Sequence, residues 1–203
     1  MQPFTTLTAV AAPLDMANID TDKIIPARFL RKHRGDPGYA DLAFHDIRFD
    51  ADGAERPEFV LNQAPYRAAQ VLVAGANFGC GSSREAAVYV LADRGIRSVI
   101  APSFGDIHYA NELQNGMLPV ILPEDDCQAL RRELHERPGA AVAIDLPAQT
   151  VTAPSGRSWR FEIDPAYKER LLKGLDDIGL VMQHIGAIEA FEARRHADMP
   201  WLA

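Results

Sequence analysis

Val71-Leu72-Val73-Ala74-Gly75-Ala76-Asn77-Phe78-Gly79-Cys80-Gly81-Ser82-Ser83-Arg84-Glu85 is the stretch on which the reading of this chain turns. Four apolar residues closed by Gly75 have the look of a strand buried on both faces. Three glycines then let the backbone turn tightly. Arg84 to Arg94 carries Ala87, Val88, Leu91 and Ala92 at helical spacing, and Gly95 suits the left-handed position beyond a helix end. Downstream, Ser98 to Ala101 reads as a second buried strand, Asp106 to Leu113 as a short helix and Leu118 to Leu122 as a third strand. Strand–helix–strand–helix–strand predicts parallel pairing through right-handed crossovers.

The flanks complete the plan. Upstream, Leu7 to Ala11 reads as a strand and Pro13-Leu14-Asp15 as a turn. Asn18 to Asp22 is a polar loop closed by Ile24-Ile25-Pro26, and residues 32–41 are a loop with Gly35, Asp36, Pro37 and Gly38. Downstream, Pro123 opens an amphipathic helix over 124–136, ended by Pro138-Gly139. Residues 142–146, 150–153 and 158–163 read as strands, with a hairpin turn at Pro154-Ser155-Gly156. Helices over 165–173 and 180–196 close the chain. The class is α/β: a mixed sheet with flanking helices and a β-rich layer drawn from both ends. We read residues 1–203 as one domain, with 165–203 a helical extension within it. Val181, Met182, Ile185, Ile188 and Phe191 fall at helical spacing, the pattern of a core-facing stripe, although a partner surface fits it too. The tail Met199-Pro200-Trp201-Leu202 is a poor end for a lone soluble chain and is a candidate docking element.

Composition narrows the function classes. The 203 residues hold 21 basic against 28 acidic side chains, a formal charge of −7 that argues against nucleic acid or an anionic membrane as partner. No apolar run approaches the roughly 20 residues of a bilayer span, and the N-terminus lacks signal-peptide features, so the cytoplasm is expected. Two cysteines, Cys80 and Cys127, make neither a disulfide framework nor the ligand set of a zinc or iron–sulfur site. If such a cluster takes part, another chain carries it.

The glycine loop is the sharpest chemical feature. Free N–H groups where a helix begins favour an anion. Ser82 and Ser83 add hydroxyl donors, and Arg84 adds a planar fork suited to a carboxylate. The same residues also satisfy a capping box, with Ser82 as N-cap and Glu85 three residues on. The loop lacks the lysine of a P-loop, the last glycine of a dinucleotide fingerprint and the order of a nucleophile elbow. Cys80 is a candidate thiol, though a small buried residue is the commoner role. None of the six histidines, His108 included, shows ligand or triad spacing. Asp20 and Asp22 either orient a partner group or simply make turns.

Asn18 to Pro26, Asn77 to Glu85, Ile100 to Phe104, Asn115 to Pro119 and Gly174 to Gly179 together resemble the small subunit of 3-isopropylmalate dehydratase, and Gly81 to Glu85 resembles a signature of the aconitase superfamily. The resemblance spans nearly the whole chain. It implies a swivelling β/β/α domain, like the last domain of aconitase, and a large-subunit partner holding a four-iron–four-sulfur cluster, with no cofactor or metal on this chain. The implied activity is interconversion of 2-isopropylmalate and 3-isopropylmalate, small dicarboxylates, by dehydration and rehydration in leucine biosynthesis. By the same resemblance Ser82 is the base, Ser83 and Arg84 hold a substrate carboxylate, and Thr21, Asp22 and Arg34 belong to the substrate site. The family's usual histidine after Arg-Glu is Ala86 here. Related acids (2-methylmalate, dimethylmalate or homoaconitate types) fit the same mechanism, with the choice expected in the Arg28–Tyr39 loop. A non-catalytic anion-binding module is the rival class, and a thiol enzyme using Cys80 ranks below it.

Overall fold

The computed structural model of the chain describes residues 1–202. Its frame is one seven-stranded mixed sheet, β1 (Thr6–Leu14), β2 (Val71–Ala74), β3 (Ser98–Ala101), β4 (Leu118–Ile121), β5 (Ala141–Asp145), β6 (Thr150–Thr152) and β7 (Ser158–Arg160), in the order β4-β3-β2-β1-β5-β6-β7. The helices are α1 (Thr21–Ile24), α2 (His45–Arg48), α3 (Glu85–Asp93), α4 (Asp106–Gln114), α5 (Glu124–Glu136), α6 (Pro165–Lys173), α7 (Asp177–Met182) and α8 (Ile185–Asp198).

Strand β1 joins two kinds of sheet. Its first half, Thr6 to Val10, pairs antiparallel with β5, and its second half, Ala11 to Leu14, pairs parallel with β2. The parallel β2-β3-β4 run is the expected one, β1 joins it through its second half, and β5-β6-β7 is an antiparallel meander whose last turn contains Pro154 to Gly156. The expected turn at Pro13-Leu14 is instead the end of β1. Pro13 lies past the last β5 pairing, so β1 has a ladder partner on one side only there, where a missing N–H costs nothing.

The apolar strands are covered on both faces. Leu72, Ala74, Val99 and Ala101 pack with Ala87, Val88, Val90 and Leu91 of α3 and with the 19–69 region. Val71, Val73, Ile100 and Val120 point the other way, onto Cys127, Leu130 and Leu134 of α5. Two-faced burial is why these strands read as continuous apolar runs.

The C-terminal end departs from expectation. The single helix expected over 180–196 is two helices, broken at Gln183–His184, with Asp176 capping the first through Gly179 N–H at 2.7 Å. Gly186 in the first turn of α8 weakens continuation of one helix. Neither α7 nor α8 buries a residue, so the 181–191 stripe is not core: Val181, Met182, Ile185 and Phe191 face outward, and Trp201 is 74% exposed. Ala203 of the expected tail lies outside the described residues. No helix of the described residues is long and apolar enough to cross a membrane.

Candidate active site

The glycine loop leaves the carboxyl end of β2 and is held from two sides. On one side, Gly79 N–H donates to Ile19 O at 2.7 Å, Thr21 N–H to Cys80 O at 2.9 Å and Asn18 N–H to Ala76 O at 2.9 Å. The buried Thr21 adds its hydroxyl, which donates to Ser82 O at 3.1 Å. On the other side, Phe78 N–H donates to Ser103 O at 3.0 Å and Gly105 N–H to Phe78 O at 2.8 Å, while Asn77 N–H meets the Ser103 hydroxyl at 2.9 Å. The loop is thus a short strand-like insert between residues 18–21 and 103–105.

Two glycines are required by this arrangement. Gly79 has φ +69°, and a Cβ there would sit 2.1 Å from the His108 ring. Gly81 has φ +98°, a conformation that side-chain-bearing residues rarely adopt. Together they carry the chain past α4 and turn it outward, so that Ser82 and Ser83 emerge on the surface.

The capping box is not formed. Helix α3 starts at Glu85, its N-cap is Arg84 with extended dihedrals (φ −124°, ψ 99°), and no side chain caps it. Glu85 turns away and accepts from Asn115 Nδ2 at 3.0 Å. The tie between Thr21 and Ser82 O and the turn at Gly81 keep the chain non-helical through Arg84, two residues longer than the local pattern predicts. Among the described residues the serine hydroxyls make no hydrogen bond, and the amides of Gly81, Ser82, Ser83 and Arg84 donate to no carbonyl. The result is a cluster of free donors at one exposed edge.

Arg84 supplies the charge. Its guanidinium pairs with Asp22, and its side chain is 16% exposed against 57% for Asp22. Hydrogen bonding to Arg84 holds the Asp22 carboxyl below its usual range against a small opposing effect of burial. Asp22 also accepts Ala27 N–H at 3.1 Å, and Asp20 caps α1 through Lys23 N–H at 2.7 Å.

Of the residues singled out in the sequence, the fold therefore brings Thr21, Asp22, Ser82, Ser83 and Arg84 to one edge. Arg34 is elsewhere. It grips Asp93 at 2.7–3.1 Å and lies over the Tyr89 ring at 4.7 Å, at the far end of the nine-residue α3, roughly 13 Å along the helix axis from its start. The pairing is long-range, and no local signal announces it. His108 is the residue whose placement sequence reasoning missed: it forms the floor under Gly79. The glycine there was the one available sign that something presses on the loop.

Cys80 and Cys127 play no joint part. Cys127 is buried in α5, where burial pushes its thiol up to about 12, and Cys80 is half-buried in the loop. Among the described residues no three His, Cys, Asp or Glu side chains gather in a way that could hold a metal, so the residues present do not fit an iron–sulfur cluster.

Comparison with known proteins gives the family. Residues 1–125 match the family described as the aconitase C-terminal domain, and residues 177–203 match the C-terminal domain of the 3-isopropylmalate dehydratase small subunit. The chain is 52% identical over 201 residues to a 3-isopropylmalate dehydratase small subunit of Gluconacetobacter diazotrophicus, covering 99% of this chain and 97% of that protein. It is 53% identical over 202 residues to the protein of the same description from Phenylobacterium zucineum, covering 100% and 98%. Among solved structures, 3-isopropylmalate dehydratase (leuD) from Methanocaldococcus jannaschii superposes with a TM-score of 0.65 at 26% identity, over 92% of this chain and 99% of that one. A full-length match at about half identity, joined to a fold shared with a solved member, places this chain in the family of 3-isopropylmalate dehydratase small subunits.

Proposed function

We propose that this chain is the base-bearing, carboxylate-holding half of a hydro-lyase that interconverts 2-isopropylmalate and 3-isopropylmalate in leucine biosynthesis. The other half is a large subunit, to which this reading assigns the four-iron–four-sulfur cluster. The reading also takes residues 1–203 as one swivelling domain at work in the cytoplasm. The observation that carries it is the pair of unpartnered hydroxyls of Ser82 and Ser83 beside Arg84, on a loop pinned at both ends.

The reaction removes a proton from carbon next to a carboxylate. Ser82 takes that proton as an alkoxide, and a serine hydroxyl is far too weak an acid to ionise unaided. Free amides along 81–84 and the Arg84 charge are preorganised donors for that oxyanion, and they gain strength once a partner covers the exposed edge and excludes water. Ser83 and Arg84 hold one substrate carboxylate, with Thr21 fixing the turn and Asp22 orienting the guanidinium. Departure of the hydroxyl lies outside this chain's residues. Arg34 joins the site, on this reading, only when its loop carries it away from Asp93, so the Arg28–Tyr39 segment is where the acid's side chain is sensed. Methylmalate-, dimethylmalate- and homoaconitate-type acids are the alternatives to be separated there.

Kinetics of the reconstituted two-subunit enzyme test this. Ser82→Ala should lower kcat by about 10²–10⁴-fold, the range of a lost general base, with KM and assembly nearly unchanged. Undiminished turnover would leave the loop a non-catalytic anion site, and loss only on alkylation of Cys80 would point to the thiol.

A further inference from the structure

We infer that Asn18 and Asn77 are positioning residues for the proposed reaction. Their side chains are joined, and the joint sets the register between the segment carrying Thr21 and Asp22 and the loop carrying Ser82 to Arg84. The inference rests on the proposed role of Ser82 and deepens it.

Backbone geometry singles the two residues out. Among the described residues only Asn18, Phe44, Asn77 and Gln149 take positive φ without being glycine, at 53°, 57°, 62° and 55°. Two of these four meet: Asn77 Nδ2 donates to Asn18 Oδ1 at 2.8 Å. The left-handed conformation is costly for a residue that bears a side chain, and least so for asparagine and aspartate. Glycine takes it without strain, and this loop uses glycine for that purpose at Gly79 and Gly81. Asparagine at positions 18 and 77 is then there for its side chain. Strain held at the neck of a reactive loop is the kind that positions a site.

Asn77 also stands where the loop needs a joint. Its backbone N–H donates to the Ser103 hydroxyl at 2.9 Å on one flank, while its side chain reaches Asn18 on the other. Among the described residues, no other residue between Gly75 and Ser83 hydrogen-bonds to both flanks. Around the joint the two segments run side by side in parallel, with a bridge between Asp20 and Cys80. Asn18 N–H donates to Ala76 O just before it, and Gly79 N–H to Ile19 O and Thr21 N–H to Cys80 O just after it. Register is weakly specified in a glycine-rich stretch of this kind, so side chains must choose it. A slip of one residue would take the Thr21 hydroxyl off Ser82 O and Asp22 off Arg84. The bond itself is open to solvent, so its effect falls on register more than on folding.

Glycine makes the test clean, because it keeps the backbone at either position and removes only the side-chain joint. Asn18→Gly, Asn77→Gly and the double variant are made in the full chain and reconstituted with the large subunit. Thermal unfolding of the chain should move by no more than about 5 °C. kcat/KM for 2-isopropylmalate should fall about 3–10-fold in each single variant, the worth of one hydrogen bond, and no further in the double. Asn18→Asp keeps an acceptor for Asn77 Nδ2 and tolerates the left-handed backbone, so it should stay within about twofold of wild type. In the lone chain, the Gly79 and Thr21 amides should exchange with solvent about 3–10-fold faster in the glycine variants. Wild-type kcat/KM in both single variants, beside an inactive Ser82→Ala enzyme, overturns this inference alone. Unchanged exchange, losses that multiply in the double variant, or a loss in Asn18→Asp equal to that in Asn18→Gly would do the same. Full turnover in Ser82→Ala overturns the reading of the loop and this inference with it.

Discussion

Helices α3 and α8 carry apolar residues at the same spacing and meet opposite fates. In α3, Ala87, Val88, Val90 and Leu91 are sealed against the sheet, and the helix start presents Ser82 to Arg84. In α8 the corresponding stripe is bare: Phe191 is 57% exposed and no residue of the helix is buried. Periodicity announces that a face wants cover. It does not say whether the cover is in the same chain. The bare stripe and Trp201 fit a subunit whose remaining cover is another protein, while α3, with Ser82 to Arg84 before it, is covered within this chain.

The sharpest break in that comparison comes from equal truncations. Leu91→Ala should cost the lone chain about 2–5 kcal/mol in denaturant unfolding, because it opens a cavity in a filled core. Phe191→Ala should change the same measurement by no more than about 0.5 kcal/mol. The order should invert in assembly: titrating the large subunit should show Phe191→Ala weakening association by about tenfold or more and Leu91→Ala, where it folds, leaving association intact. Equal destabilisation of the lone chain by both variants would show that α8 is covered from within.

The same contrast explains what was legible in the residues. β2, β3 and β4 were readable because burial on both faces leaves an uninterrupted apolar run between turn-forming residues. The double partnership of β1 was not, since a strand that changes neighbours at Ala11 does so for reasons lying 60 and 130 residues away, at Val71 and Ala141. At the site, the gathering of Ser82, Ser83 and Arg84 behind a glycine turn was visible, but the capping box was a local pattern overruled by contacts from Thr21 and by the turn at Gly81. The buried His108 ring beneath the loop was not announced by its own surroundings in the sequence, only by the glycine it presses on. The 181–191 stripe is legible as apolar, but its spacing wrongly suggests core.

A smaller effect probes the pinned end of α3. Thr21→Val keeps shape and removes the hydroxyl that donates to Ser82 O. Folding should lose about 0.5–1.5 kcal/mol, the usual worth of one such bond. Turnover should suffer more than stability, since the bond fixes Ser82, which bears one of the exposed hydroxyls. A fall in kcat no larger than the fall in folded fraction would show that the loop needs no such tie. No such asymmetry is expected for polar-to-apolar changes on α7 or α8, where no loop depends on the helix.

The smallest change expected in stability is at Asp22, and its sign can be worked out. Arg84 lowers the Asp22 carboxyl below its unfolded value. Its contribution to folding is therefore complete above the ordinary carboxylate range and is lost as pH falls through the lowered value. Because Asp22 is largely exposed, the pair is worth under about 1 kcal/mol near neutrality. Asp22→Asn should then leave stability at pH 7 almost unchanged and flatten its decline in acid. The kinetic consequence is larger than the thermodynamic one. Removing a negative charge beside Arg84 favours an incoming carboxylate, so KM for the dicarboxylate should fall by about two- to fivefold, while a guanidinium no longer held in place should lower kcat. A rise in KM would mean that orientation by Asp22 outweighs its competition with substrate, and that the exposed edge of α3 is assembled before the acid arrives rather than by it.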